Sequence, residues 1–300
     1  MMNSPSVLPQ KQKTPSVQNS TKRLSQRGFL QIYLSLLGSG IFCFLILLSY
    51  YSFTHQTSDW QMLGIYLAIG FLCQVIDGTL GMAYGVSSTT FLMYTGVSPV
   101  IASASVHFAE VFTTASSGFF HWRIGNVDTK LFKKLAIPGA LGAILGAFVL
   151  TSIDGKEIKP YISAYLLVMG LVICVKAFKK IALKEPKRVG WLALFGGFVD
   201  ASGGGGWGPV VTTTLIASGK NPQLSIGTVN AVEFLIAFAS SSVFTLTVGI
   251  ESIEVVSGLV LGGLLASPLG ALIAHKINIR VGMILVGLLI VFLSLNTFLS

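Results

Sequence analysis

The chain has 300 residues, of which 10% are charged and 52% hydrophobic, with 20 Lys/Arg against 11 Asp/Glu. A soluble domain needs roughly 25% charged residues to wet its surface, so these proportions exclude a water-soluble globule and imply an all-α polytopic membrane protein in a lipid bilayer. The formal net charge of +9 invites a nucleic-acid reading, but the basic residues stand between apolar runs, where the positive-inside rule accounts for them. No nucleic-acid partner is expected.

In chain order, residues 1–28 are rich in Ser, Thr, Gln and Pro, contain no acid and hold five Lys/Arg. They read as a disordered basic cytoplasmic tail, with a transit peptide as the alternative. One leading transmembrane helix follows at 29–52. Two similar sets of five helical segments come next. The first, repeat 1 (60–179), has segments at 61–76, 86–96, 100–121, 132–151 and 161–179. A basic linker at 180–188 separates it from repeat 2 (189–299), with segments at 189–200, 209–218, 223–248, 255–275 and 280–298. Cys43, Cys73 and Cys174 fall in apolar segments at unrelated spacings and read as packing residues.

The two sets are related in sequence. Asp77–Gly118 aligns without a gap onto Asp200–Ser241, 123 residues later, with 11 identities in 42 positions. Asp77/Asp200, Gly81/Gly204, Gly85/Gly208, Thr89/Thr212, Gly96/Gly219, Pro99/Pro222 and Glu110/Glu233 are among them. With the N-terminus inside, the tail and the inside loops carry 18 of the 20 Lys/Arg. That bias implies inverted-topology repeats with a cytoplasmic N-terminus and the C-terminus outside. The opening two segments of each set are too short for the ~20 residues of a full crossing. Each pair therefore reads as a Gly-broken short helical hairpin, either re-entrant or crossing, the two entering from opposite faces.

Non-helical backbone at membrane depth must be buried in protein or line a cavity, which makes Gly78–Gly85 and Gly203–Gly208 the expected site. Helices restarting near residues 86 and 209 present N–H groups and a partial positive charge to an anion. No span interior carries Lys or Arg to do that work. The expected substrate-binding residues are Gly81, Tyr84, Gly85, Ser87, Ser88, Thr89, Gly204, Gly205, Gly206, Trp207, Gly208 and Thr212, with His107 and Asn230 from the following helices. Ser103, His107, Glu110, Thr114 and Ser117 lie on one helix face, and Asn230, Glu233 and Ser240 keep that register. Four carboxylates, Asp77, Asp200, Glu110 and Glu233, are intramembrane and read as proton-coupling or structural groups. N-capping of the restarting helices is the favoured role for the two aspartates. His107 with Glu110 is a weak metal signal, so neither metal nor cofactor is expected.

At these residues the chain resembles the sulfite exporter TauE/SafE family, also called the TSUP anion permeases. Gly70–Gly85, Gly196–Pro209 and the small-residue stretches Pro138–Ala147 and Gly262–Ala271 carry the resemblance, which covers about 60–299. It implies transport of sulfite or a related organosulfur anion across a bacterial inner membrane. Met82-Ala83-Tyr84 is less glycine-rich than Gly205-Gly206-Trp207, so the second half is expected to supply more backbone donors. The alternative is a cation or metal transporter using the paired carboxylates. An enzyme is not expected, because the roles of nucleophile and paired base are unfilled. Homodimer formation is left open by the sequence.

Overall fold

The computed structural model of the chain describes residues 60–178, 188–249, 252–273 and 279–299, and among them every regular element is helical. The described residues form ten α-helices: α1 (Trp60–Leu80), α2 (Tyr84–Tyr94), α3 (Pro99–Arg123), α4 (Thr129–Thr151), α5 (Gly155–Phe178), α6 (Val189–Gly203), α7 (Thr213–Ala217), α8 (Pro222–Thr247), α9 (Ile253–Ile273) and α10 (Ile279–Leu299). A π-helical turn, Gly208–Thr212, runs directly into α7. The tail, the leading span with Cys43, and the linker up to residue 187 lie outside the described residues.

Sequence dictates several of these boundaries. Proline stands at the first turn of both α3 and α8, where its missing N–H is no loss. Ser98 and Asn221 cap those helices by accepting from Ile101 N and Leu224 N. Just before them, Gly96 and Gly219 take φ of +94° and +87° in matching turns, a region open to glycine. Asp128 caps α4 through the Lys130 and Leu131 amides.

Five described helical stretches are long and apolar enough to cross a bilayer: Gln61–Leu80, Thr129–Thr151, Gly155–Phe178, Pro222–Thr247 and Arg280–Leu299. Leu72, Ile137, Trp191, Phe195, Leu285 and Phe292 are each more than half exposed. Water does not tolerate so apolar an exterior; lipid does, and the protein is a multi-pass membrane protein. The polar side chains go the other way, with Gln74, Asp77, Ser103, His107, Glu110, Asp200, Asn230 and Glu233 all buried.

Small residues set the closest packing. α4 lies against α6, where a Cβ on Gly142 would stand 2.0 Å from the Leu194 carbonyl oxygen and one on Gly146 2.3 Å from that of Phe198. α9 lies against α1 in the same manner, a Cβ on Gly262 falling 2.0 Å from the Leu67 oxygen. Without a hydrophobic drive between helices in lipid, such close backbone approach is what holds them. α3 packs on α8 and α5 on α10, while α8 also meets α4 and α9 also meets α3.

One expectation needs correction. The segment expected at 61–76 extends to Leu80 and reaches 21 residues, long enough to span. The Gly81 N–H bonds to the Asp77 carbonyl at 2.6 Å, so helical bonding runs through Gly78 and Thr79. The break in repeat 1 is therefore only Gly81–Ala83, matched in register by Gly204–Gly206 in repeat 2.

Candidate anion site at the paired helix breaks

The two breaks meet backbone to backbone. A Cβ on Gly205 would lie 2.2 Å from Val86 N, one on Gly85 would lie 2.8 Å from the Gly205 Cα, and one on Gly208 would lie 2.7 Å from the Met82 Cα. Only glycine permits that approach. The chain also turns through left-handed angles here, at Gly81 (φ +65°), Ala83 (+90°), Gly204 (+73°) and Gly205 (+133°). Thr89 Oγ1 donates to the Gly204 carbonyl, and Tyr165 from α5 donates to that of Gly205 at 2.5 Å. Trp207 and Tyr84, repeat equivalents, are fully buried beside the breaks, donating from Nε1 to Val229 O and from the hydroxyl to Leu259 O.

The aspartates stand in the last turns of α1 and α6, and their carboxylates reach across the breaks. Asp200 Oδ1 accepts from the Gly206 and Trp207 amides at 2.7 and 2.8 Å, and the Asp77 carboxylate accepts from the Tyr84 amide. Both contacts close over the same sequence distance. N–H groups that the sequence leaves unpaired for an anion are thus partly taken by the chain's own carboxylates. The Gly85–Val86 turn, facing Gly205, remains as the positive end pointed at the opposite break.

Among the remaining expected residues, Ser87 Oγ donates to the Ala83 carbonyl at 2.6 Å. Ser88 Oγ and Thr212 Oγ1 are buried with no partner among the described residues. Asn230 donates to Ser117 Oγ at 3.1 Å and leaves its carbonyl oxygen unpartnered. His107 does not act alone: its Nε2 lies 3.2 Å from Asp200 Oδ2, joining α3 to α6. Glu110 approaches the first break, its Oε1 being 3.0 Å from the Cβ that Gly85 lacks, with both oxygens buried and without a hydrogen-bond partner among the described residues. Glu233, its repeat equivalent, is buried on α8. Cys73 and Cys174 are free thiols.

One residue beside the breaks escapes the sequence reading. Lys176, within the segment expected at 161–179 but not among the expected site residues, lies on α5, and its ammonium donates to the Pro209 carbonyl at 3.0 Å and to Thr213 Oγ1. The Pro209 carbonyl lies in the π-helical turn, and a long lysine stem lets the charge arrive there from the helix end. A cation therefore stands at the base of the second break after all.

Broken helices that meet backbone to backbone within an apolar helical bundle are an arrangement suited to a membrane transporter. The chain matches the family described as Sulfite exporter TauE/SafE over residues 66–297. It belongs to that family and is a membrane transporter. It is also 40% identical, over 248 residues, to the Probable membrane transporter protein YtnM of Bacillus subtilis (strain 168), covering 79% of this chain and 82% of that protein. No solved structure matches the chain.

Proposed function

We propose that the protein exports sulfite or a related organosulfur anion across a bacterial inner membrane by alternating access, with the anion held where the two breaks meet. The observation that carries this reading is the backbone contact of Gly85 with Gly205 and of Gly208 with Met82. It brings two helix starts to one point, and helix starts bind anions through N–H groups and dipole. In the conformation described, that contact is shut. Parting it toward one face and then the other admits and releases the anion between Ser88 and Thr212, whose buried hydroxyls lack partners among the described residues.

Inverted repeats supply the two faces. Exchanging the halves turns the α1–α9 pair into α6–α4, and α4–α8 into α9–α3, while α3–α8 and α5–α10 map onto themselves. This self-consistency supports a pseudo-two-fold axis in the membrane plane. Lys176, on the side taken as cytoplasmic, meets the anion first. Export needs no coupling ion. One charge crossing 100 mV is worth about 2.3 kcal/mol, so a dianion leaving a negative interior gains about 4.6, enough for a gradient of roughly a thousandfold.

Thermal unfolding of the purified protein against a ligand panel tests the substrate class. A ligand at 100 times its Kd stabilises by about 2.7 kcal/mol. Sulfite or a sulfonate is expected to raise the midpoint while chloride does not; an equal response to all anions would overturn the assignment.

A further inference from the structure

α3 and α6 bring three buried side chains with ligating atoms together. Ligating atoms of His107, Glu110 and Asp200 all lie within 4.8 Å of one another. His107 Nδ1 lies 2.8 Å from the Ser103 carbonyl, which can only accept, so Nδ1 carries the hydrogen. The lone pair of the neutral ring is then on Nε2, and it faces Asp200 Oδ2. Asp200 Oδ1 is already engaged by the Gly206 and Trp207 amides, which leaves Oδ2 as the free oxygen. Glu110 is fully buried, and neither of its oxygens has a partner among the described residues. A single proton between His107 and Asp200 leaves both Glu110 oxygens as they are. A metal ion takes a lone pair from all three residues at once.

We propose that His107 Nε2, Asp200 Oδ2 and a Glu110 carboxylate oxygen form a resident binding site for a first-row divalent cation of the Zn²⁺ type. Imidazole with two carboxylates suits such ions, whereas Na⁺, Mg²⁺ and Ca²⁺ prefer all-oxygen shells. The outer shell fits as well. A metal-ligating histidine normally donates its other N–H to a carbonyl or carboxylate, as Nδ1 does to Ser103, and ligating carboxylates are themselves hydrogen-bonded, as Asp200 is. Two carboxylates and a divalent ion sum to zero charge beside Gly85. This last consequence rests on the anion reading, since two bare carboxylates there would repel the cargo. The site ties repeat 1 to the break of repeat 2 across 93 residues of chain.

The test uses the full chain, tag removed, in detergent, stripped with a chelator and titrated with Co²⁺ and Zn²⁺. Expected are about one ion per chain and a visible Co²⁺ absorption from a nitrogen–oxygen shell. Glu110→Gln and His107→Gln are each expected to weaken binding by about tenfold or more, whereas Glu233→Gln binds like the wild type. Glu110→Gln merely neutralises an unpartnered carboxylate, so it folds; its thermal midpoint is expected to stop responding to Zn²⁺ while that of the wild type rises. No stoichiometric binding, or affinity unchanged in Glu110→Gln, overturns the proposal. Transport of sulfite by a protein that binds no metal sinks this site and spares the anion reading. Metal binding without transport of any organosulfur anion does the reverse.

Discussion

Replacing Gly205 with alanine tests the closed contact between the breaks. The new Cβ would stand 2.2 Å from Val86 N and 2.3 Å from the Gly85 carbonyl carbon, both backbone atoms that no rotamer change can move. Gly205 also sits at φ +133°, where a Cβ carries strain on the order of 1–3 kcal/mol. Each 1.4 kcal/mol is about tenfold in an equilibrium, so strain alone depopulates the closed state by roughly tenfold to a hundredfold before the clash is counted. Gly219→Ala is the control. Gly219 has φ +87° but open space around its Cβ position, so it carries the backbone strain without the clash. Both variants go through thermal unfolding and sulfite exchange in proteoliposomes. Gly205→Ala is expected to lose nearly all exchange, and Gly219→Ala to keep most of it. Wild-type exchange and stability in Gly205→Ala would refute the closed contact as a working part of the cycle.

Other perturbations follow from single contacts. Tyr165→Phe removes the hydroxyl donated to Gly205, costing about 1 kcal/mol and lowering the thermal midpoint by a few degrees. Lys176→Met is expected to raise the KM for sulfite several-fold with a smaller effect on kcat, and Lys176→Arg to restore it in part; an unchanged KM would remove Lys176 from the anion path. Gly142→Val forces side-chain bulk onto the Leu194 carbonyl, and size-exclusion chromatography is expected to show an aggregated product, whereas Gly64→Val, at a position with open space, runs as wild type. Alkaline phosphatase fused after Ser300 is expected to be active and the same fusion at Met1 inactive; the opposite pattern would invert the topology.

Helix identity and several boundaries were legible because capping chemistry is local. Ser98-Pro99 and Asn221-Pro222 announce α3 and α8, and Gly96 and Gly219 announce the turns before them. The end of α1 was not legible. Gly78 reads as a breaker, yet packing and the Asp77–Gly81 bond hold it in the helix, tertiary context overriding propensity. The breaks themselves stand out as duplicated glycines, but their contact with each other does not, since nothing periodic links Gly85 to Gly205. The His107–Asp200 pair is invisible for the same reason, joining residues 93 apart on different repeats. A usable signal was there: a polar stripe on α3 demands polar partners, and Asp200 is one of few within the apolar segments. Lys176 was passed over because further basic residues follow it closely in sequence. Only the helix of α5 shows its stem turned inward to Pro209.

The measurement that bears most directly on the account is counterflow of labelled sulfite into proteoliposomes preloaded with unlabelled sulfite. Competition by sulfonates, sulfate, chloride and divalent metal salts is read in parallel. The account predicts transient accumulation of label in the wild type, abolished by Gly205→Ala, suppressed by organosulfur anions and indifferent to chloride. No accumulation with sulfite or any sulfonate, or accumulation of a labelled divalent metal instead, would contradict it.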